Sequence, residues 1–205
     1  MASQGPNACG TGTNVSTGVS TFVAWSNPGN ITVNDSSYAT AAMRANVSQT
    51  RQTRYLIASN FGFTIPVGAT INGIVVEILR SATTTSKSPM DLLIQLTSDA
   101  SNTGLAGDDK SSASVWPTTD AFATYGSSSD VWTFSPTVSK VNGSGFGVAI
   151  RGTIGSGGKT SVTMQVNFVR MTVYYTPAAS GNVFRQSNLS GLGSGGPFFA
   201  DPMGG

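Results

Sequence analysis

Histidine is missing from all 205 residues, and cysteine occurs once, at Cys9. Without an imidazole there is no Ser-His-Asp or Cys-His catalysis, and the commonest transition-metal ligand is gone as well. Zinc would have to rely on one thiolate and carboxylates, a poor donor set for that ion. A lone cysteine cannot close an internal disulfide, so the fold does not depend on an oxidising compartment, and Cys9 reads as a small packed residue rather than a nucleophile. Charge is scarce too: Asp, Glu, Lys and Arg make up 10% of the chain, with eleven basic against nine acidic residues and a net charge of +2. The basic residues Arg44, Arg51, Arg54, Arg80, Lys87, Lys110 and Lys140 are scattered along the sequence. That lacks the concentrated positive footprint of a nucleic-acid groove. No apolar run reaches the length of a membrane span, and the opening Met1-Ala-Ser-Gln-Gly-Pro6 has neither the basic region nor the apolar core of a signal peptide. The expectation is a chain made in a cytoplasm, with no membrane and no nucleic-acid partner.

What fills the chain instead is Gly, Ser, Thr and Asn between short β-branched and aromatic runs. The clearest is Phe61 to Arg80, which reads as strand, tight turn, strand: Pro66 and Gly68 suit the turn, and Ile74, Val75, Val76 and Ile78 the second strand. There Val76 and Ile78 fall on one face and Glu77 on the other. Further strands are predicted at Val19–Trp25, 31–33, 38–43, 53–61, 91–97, 131–134, 146–151 and 162–175. A helix over 39–45 is rejected because no amphipathic stripe extends far enough to support it. Ser135-Pro136 suits the start of a single helical turn. In the last strand the apolar side switches near Phe168, which predicts a bulge. Eight or nine strands with closely spaced turns predict an all-β fold, an antiparallel β-sandwich of jelly-roll-like topology. Residues 1–18 carry almost no apolar periodicity and read as an extended N-terminal arm that orders only against a partner. The sandwich is expected over 19–177, and Gly-rich residues 178–205 form an extended C-terminal tail.

Few residues suggest chemistry. Gly155-Ser-Gly-Gly-Lys-Thr160 sets glycines near Lys-Thr, but no helix follows to hold a phosphate, so it reads as a hairpin loop. A glycosidase needs two opposed carboxyl groups; Glu77 sits mid-strand near Arg80 and reads as a surface charge, so no catalytic residue is assigned and the protein is predicted not to be an enzyme. No cofactor is expected beyond calcium, for which Asp99, Asp108 and Asp109 supply hard oxygens in one loop without EF-hand spacing. Trp116, Tyr125 and Trp132 are the candidates for stacking on sugars, against the commoner fate of such rings in a sandwich core.

The runs Asn60-Phe-Gly-Phe-Thr-Ile-Pro-Val-Gly-Ala-Thr-Ile-Asn-Gly-Ile-Val-Val-Glu-Ile78, Val115-Trp-Pro-Thr-Thr-Asp-Ala-Phe-Ala-Thr-Tyr-Gly126, Ser144-Gly-Phe-Gly-Val-Ala-Ile150 and Val169-Arg-Met-Thr-Val-Tyr-Tyr-Thr176 together resemble a β-sandwich module. Such modules occur in tailed-phage virion structural proteins and in uncharacterised bacterial surface proteins. The likeness covers about residues 20–176 and brings no active site with it. It implies a virion location and a structural role in capsid decoration or in a tail-associated subunit, with other virion proteins as partners. By analogy with virion proteins it also implies a homo-oligomer, a trimer. The rival expectation is a carbohydrate-binding adhesin module that engages host surface glycans. In the tail, Phe184, Leu189, Leu192, Pro197, Phe198, Phe199 and Met203 are spaced by small and polar residues. They cannot bury one another and are expected to anchor the tail on a partner surface.

Overall fold

In the computed structural model, residues 1–16, 18–45 and 51–179 are described. The tail anchors Phe184, Leu189, Leu192, Pro197, Phe198, Phe199 and Met203 lie outside them. The strands are β1 (Ala2–Ala8), β2 (Thr11–Val15), β3 (Ala39–Arg44), β4 (Arg51–Gln52), β5 (Tyr55–Ser59), β6 (Thr70–Ala82), β7 (Met90–Thr97), β8 (Leu105–Ala106), β9 (Ala121–Ser127), β10 (Gly147–Ile154) and β11 (Ser161–Thr176). They build two antiparallel sheets. The first has the order β1-β11-β6-β9 with β3 also on β11; the second has the order β2-β5-β10-β7-β8 with β4 on β10. The all-β sandwich expected from the pattern is therefore present, and its core is the facing apolar rows. Ile74, Val76 and Ile78 of β6 and Val166, Val169 and Met171 of β11 meet Leu56 of β5, Ile94 and Leu96 of β7 and Val148 and Ile150 of β10, all without solvent exposure.

The N-terminal segment is extended, but its partner is the sandwich itself. Backbone pairing runs from Ala2↔Tyr175 to Ala8↔Arg170 in the first sheet, then from Thr11↔Ser59 to Val15↔Tyr55 in the second. The chain changes sheets at Cys9-Gly10, where Cys9 N–H donates to Val169 O at 3.1 Å and Gly10 N–H to Asn60 O at 2.9 Å. Gly12 in β2 lies so close to the 3-10 turn Pro28–Thr32 that a Cβ would strike the Pro28 carbonyl oxygen. These strands lack an apolar row because they are held mainly by main-chain hydrogen bonds, which carry no side-chain signature.

Other expectations are corrected. Val19–Trp25 forms no ladder; it is a turn with one bridge, Val23↔Thr53, and Trp25 donates its indole N–H to Arg54 O. The first half of the expected central hairpin, 61–66, is extended without a neighbouring strand. Side chains serve its backbone instead: Gln4 Oε1 accepts from Thr64 N–H at 2.7 Å, and the Asn142 amide bonds both N–H and C=O of Ile65 at 2.9 Å. Phe61, Phe63 and Ile65 still alternate into the core. Residues 131–134 are a turn, with Trp132 and Thr133 at positive φ of 57° and 51°. The helical turn α1 spans Val138–Val141, and its cap is Thr137 rather than Ser135, because the Thr137 hydroxyl accepts from Lys140 N–H. The rejected helix at 39–45 is indeed strand β3.

The bulge in β11 is where the side switch placed it. Val166 pairs with Arg80 and Phe168 with Leu79, leaving Asn167 as the extra residue. Asn167 and Phe168 thus both turn to the outer face while Val166 and Val169 both face the core.

Because β1 closes one edge of the first sheet, deleting residues 1–10 should remove several kcal/mol of stability, a fall in melting temperature on the order of 10 °C for a chain of this size. An unchanged melting temperature by circular dichroism would show that this segment is a dispensable arm after all.

Candidate functional site

Arg80 points inward from β6 and forms an ion pair with Asp91 of β7, in the opposite sheet; their side chains are 6% and 0% exposed. Arg80 Nη1 donates to Asp91 Oδ1. The same carboxylate accepts from Trp116 Nε1 at 2.9 Å, from the Tyr125 hydroxyl at 2.8 Å and from Ser112 N–H at 3.0 Å. The Arg80 guanidinium lies 4.7 Å from the Trp116 ring centre and 5.7 Å from that of Tyr125. Burial lowers the Arg80 pKa and pushes the Tyr125 hydroxyl up to about 12, the nearby guanidinium opposing part of the tyrosine shift. Trp132 is also fully buried and donates its indole N–H to Ile74 O at 3.0 Å. The three aromatic residues proposed for sugar stacking, Trp116, Tyr125 and Trp132, are therefore core residues with satisfied polar atoms and present no face to a ligand.

The loop carboxylates are likewise dispersed. Asp99 accepts from the Ser101 hydroxyl at 2.7 Å, Asp108 pairs with Lys110 at 2.6 Å, and Asp109 accepts from Ile94 N–H at 2.9 Å. Asp99 is held below the usual carboxylate range chiefly by its bond from Ser101, and Asp108 chiefly by Lys110. Among the described residues no three His, Cys, Asp or Glu groups gather as a metal site. The calcium expectation for Asp99, Asp108 and Asp109 is corrected: each carboxylate caps a turn or pairs with a lysine. Cys9 is buried, its thiol pushed up to about 12 by desolvation and donating to Ile31 O, which suits a packed residue.

Three surface features remain. On the outer face of the first sheet, Leu79 lies between its cross-strand partners Phe122 and Phe168, a row ending in the 42%-exposed Phe122 ring. In the next row Glu77 accepts two bonds from Arg170, Nε and Nη2 each at 2.9 Å, and the Arg170 guanidinium covers Phe122 at 4.4 Å. Glu77 was expected beside Arg80; the ladder instead sets it opposite Arg170. Beyond the phenylalanines, Asp120 accepts from Ser81 Oγ at 2.7 Å, Asn167 Nδ2 at 2.9 Å and the Tyr38 hydroxyl at 3.1 Å.

The second feature is a groove of about 570 Å³ lined by Gly68 and by Ile71, Val131, Pro136 and Val138, which alternate with the hydroxyl residues Thr70, Ser135, Thr137 and Ser139. The chain passes it on leaving β11, with Ala178 Cβ 3.2 Å from where a Cβ on Gly68 would stand. The third is a depression of about 220 Å³ lined by Arg44, Ala45, Arg51 and Lys159. Sequence spacing hid it, since the basic residues look scattered until the strands are paired.

No protein-family model matches the chain, and no curated protein matches it. Among solved structures it is similar to the N-terminal cellulose-binding domain of Cellulomonas fimi β-1,4-glucanase C, determined by NMR, at 11% identity over 80% of this chain and 86% of that one, with a TM-score of 0.37. A likeness at that level adds nothing to what the two sheets themselves define, an all-β sandwich.

Removing one partner of the buried ion pair leaves the other charge without compensation. Asp91→Ala should therefore cost about 3–5 kcal/mol in urea unfolding. A loss below about 1 kcal/mol, the range of an exposed pair, would show that the pair does not tie the sheets together.

Proposed function

We propose that the protein is a non-enzymatic structural subunit of a tailed-phage particle, a capsid decoration or tail-associated component, held in its assembly by residues 178–205. The particle setting comes from the sequence resemblance. The attachment role is supported by one observation: the chain leaves β11 at Thr176 directly beside a groove that offers Ile71, Val131, Pro136 and Val138 as apolar contacts. The N-terminal extension is used up inside the two sheets, so the C-terminal extension is the one available for docking among the two expected. Ordering a Gly-rich chain costs about 1–2 kcal/mol per residue, and each fully buried Phe, Leu or Met returns about 1.5–3 kcal/mol. Several anchors must therefore engage together, with Phe198-Phe199 the largest pair. A surface with few charges suits subunit contacts, since charge is depleted at interface centres, and the same reasoning supports a homo-oligomer, with a trimer as the analogy-based state.

A second reading, a carbohydrate-binding module, is favoured by the row Phe122, Leu79, Phe168 with the Glu77–Arg170 pair beside it. An exposed ring next to oriented polar groups is what a sugar face requires. It replaces the buried Trp116, Tyr125 and Trp132 as the surface to test.

Two experiments separate the readings. Chains lacking 178–205, or carrying Phe198→Ala with Phe199→Ala, should melt within about 2 °C of the full chain, the shift of a sub-kcal/mol change, yet be absent from purified particles by mass spectrometry. Incorporation equal to that of the full chain would remove the attachment role. For the second reading, retention on an insoluble polysaccharide should weaken about tenfold in Phe122→Ala, the loss expected of one aromatic contact. Retention that ignores this change, or no retention at all, would end the carbohydrate reading.

A further inference from the structure

The depression lined by Arg44, Ala45, Arg51 and Lys159 belongs to neither reading. It sits at the start of β11, while the tail leaves from the end of the same strand. Its walls are fixed by the ladders. Arg44 pairs with Ser161, Ala45 N–H donates to Thr160 O at 2.9 Å, and Arg51 pairs with Ile154 while its carbonyl accepts from the Thr153 hydroxyl at 3.0 Å. Arg51 Nε donates to Arg44 O at 3.1 Å, which orients the guanidinium, and no other described residue accepts from it. In the loop that carries Lys159, Lys87 Nζ stands 3.5 Å from where a Cβ on Gly157 would be and 3.6 Å from where one on Gly158 would be.

The charges here lack counterparts. Among the described residues no carboxylate lies within ion-pair distance of Arg44, Arg51 or Lys159. Asp91, Asp108, Asp130 and Glu77 are committed to Arg80, Lys110 and Arg170. Like charges converging on one depression repel, and an anion with several acceptor oxygens relieves that repulsion while accepting from each donor. Arginine matches a tetrahedral oxyanion through two parallel N–H bonds, and lysine adds a point charge. A neutral sugar can accept hydrogen bonds from these donors but leaves their mutual repulsion in place. At about 220 Å³ the space is smaller than the roughly 300–1,000 Å³ pocket of a drug-sized ligand. It suits one oxyanion and part of the group that carries it.

We propose that Arg44, Arg51 and Lys159 form a binding site for a sulfate or phosphate monoester group. Such a group can come as a free ion or as an ester on a polysaccharide, and two probes separate these sources. Dextran sulfate and neutral dextran are compared by titration calorimetry with the full chain, and inorganic sulfate is titrated in a thermal-shift assay. Dextran sulfate should bind and dextran should not. Arg44→Gln, Arg51→Gln and Lys159→Gln should each weaken binding about tenfold, the effect of losing one charge-assisted contact, at unchanged melting temperature without ligand. Lys140→Gln, a surface lysine away from the depression, should bind as the native chain does. If inorganic sulfate raises the melting temperature through these three residues while dextran sulfate does not bind, the site stands and takes the free ion. Dextran sulfate affinity unchanged in the three variants, or lowered equally by Lys140→Gln, would reduce the effect to diffuse surface charge and overturn the site. Absence of any response to both anions would overturn it as well.

Discussion

Among the described residues, one buried charge pair bridges the two sheets. Burial itself is non-directional, so the register of the two apolar faces rests on interlocking side chains and on directional contacts between the sheets. Arg80 and Asp91 are such a directional contact: one comes from β6, the other from β7, and a desolvated pair tolerates little displacement. Asp91 accepts from Arg80, Trp116, Tyr125 and Ser112 together, so the carboxylate is fully served without water. Such a cluster contributes less to net stability than to a unique arrangement, since apolar groups of the same size could fill the space at lower desolvation cost. It also decides the fate of the aromatic residues. Trp116 and Tyr125 are drawn inward by donors that need an acceptor, and an aromatic ring with a satisfied N–H or O–H is at home in a core.

A second constraint works from a single inserted residue. The bulge at Asn167 lets β11 keep Val162, Met164 and Val166 on the core side and then return Val169, Met171 and Val173 to the same side. Without it, the period of two would send one of those rows into solvent. The displaced Asn167 finds Asp120, and Phe168 lands beside Leu79, so the exposed aromatic row and its polar border both follow from one extra residue in a ladder. Bulges that re-aim side chains commonly sit where a surface is used.

Much of this was legible in the sequence, and the misses share a cause. β6, β10 and β11 were readable because their side chains alternate, and the bulge was readable because the alternation breaks. β1 and β2 were not, since Ala2–Ala8 and Thr11–Val15 contribute main-chain hydrogen bonds and almost no apolar area. Residues 61–66 were misread in the opposite direction: Phe61, Phe63 and Ile65 alternate like a strand, but Gln4 and Asn142 side chains take the place of a neighbour. The burial of Trp132 depends on Gly126, whose φ of +76° brings the backbone against the indole nitrogen, a contact between residues six apart that no periodicity reports. The candidate surfaces were less legible than the fold. Arg44, Arg51 and Lys159 converge only after β3 pairs with β11 and β4 with β10, so their proximity is a product of topology.

The same topology distributes the unmet demands of the chain. Inside, the polar groups of Arg80, Asp91, Trp116 and Tyr125 satisfy one another. Along the flank of the first sheet, Glu77 answers Arg170 and Asp120 answers three donors. Buried atoms without a partner are found at Thr13, Arg54 and Asn167, and the two ends of β11 carry the two candidate surfaces: positive charge where the strand begins, and a mixed apolar and hydroxyl-lined groove where it stops. A strand of sixteen residues rising about 3.3 Å each separates those ends by roughly 50 Å. The two proposed contacts, an anion at one end and the tail at the other, therefore do not compete for the same surface.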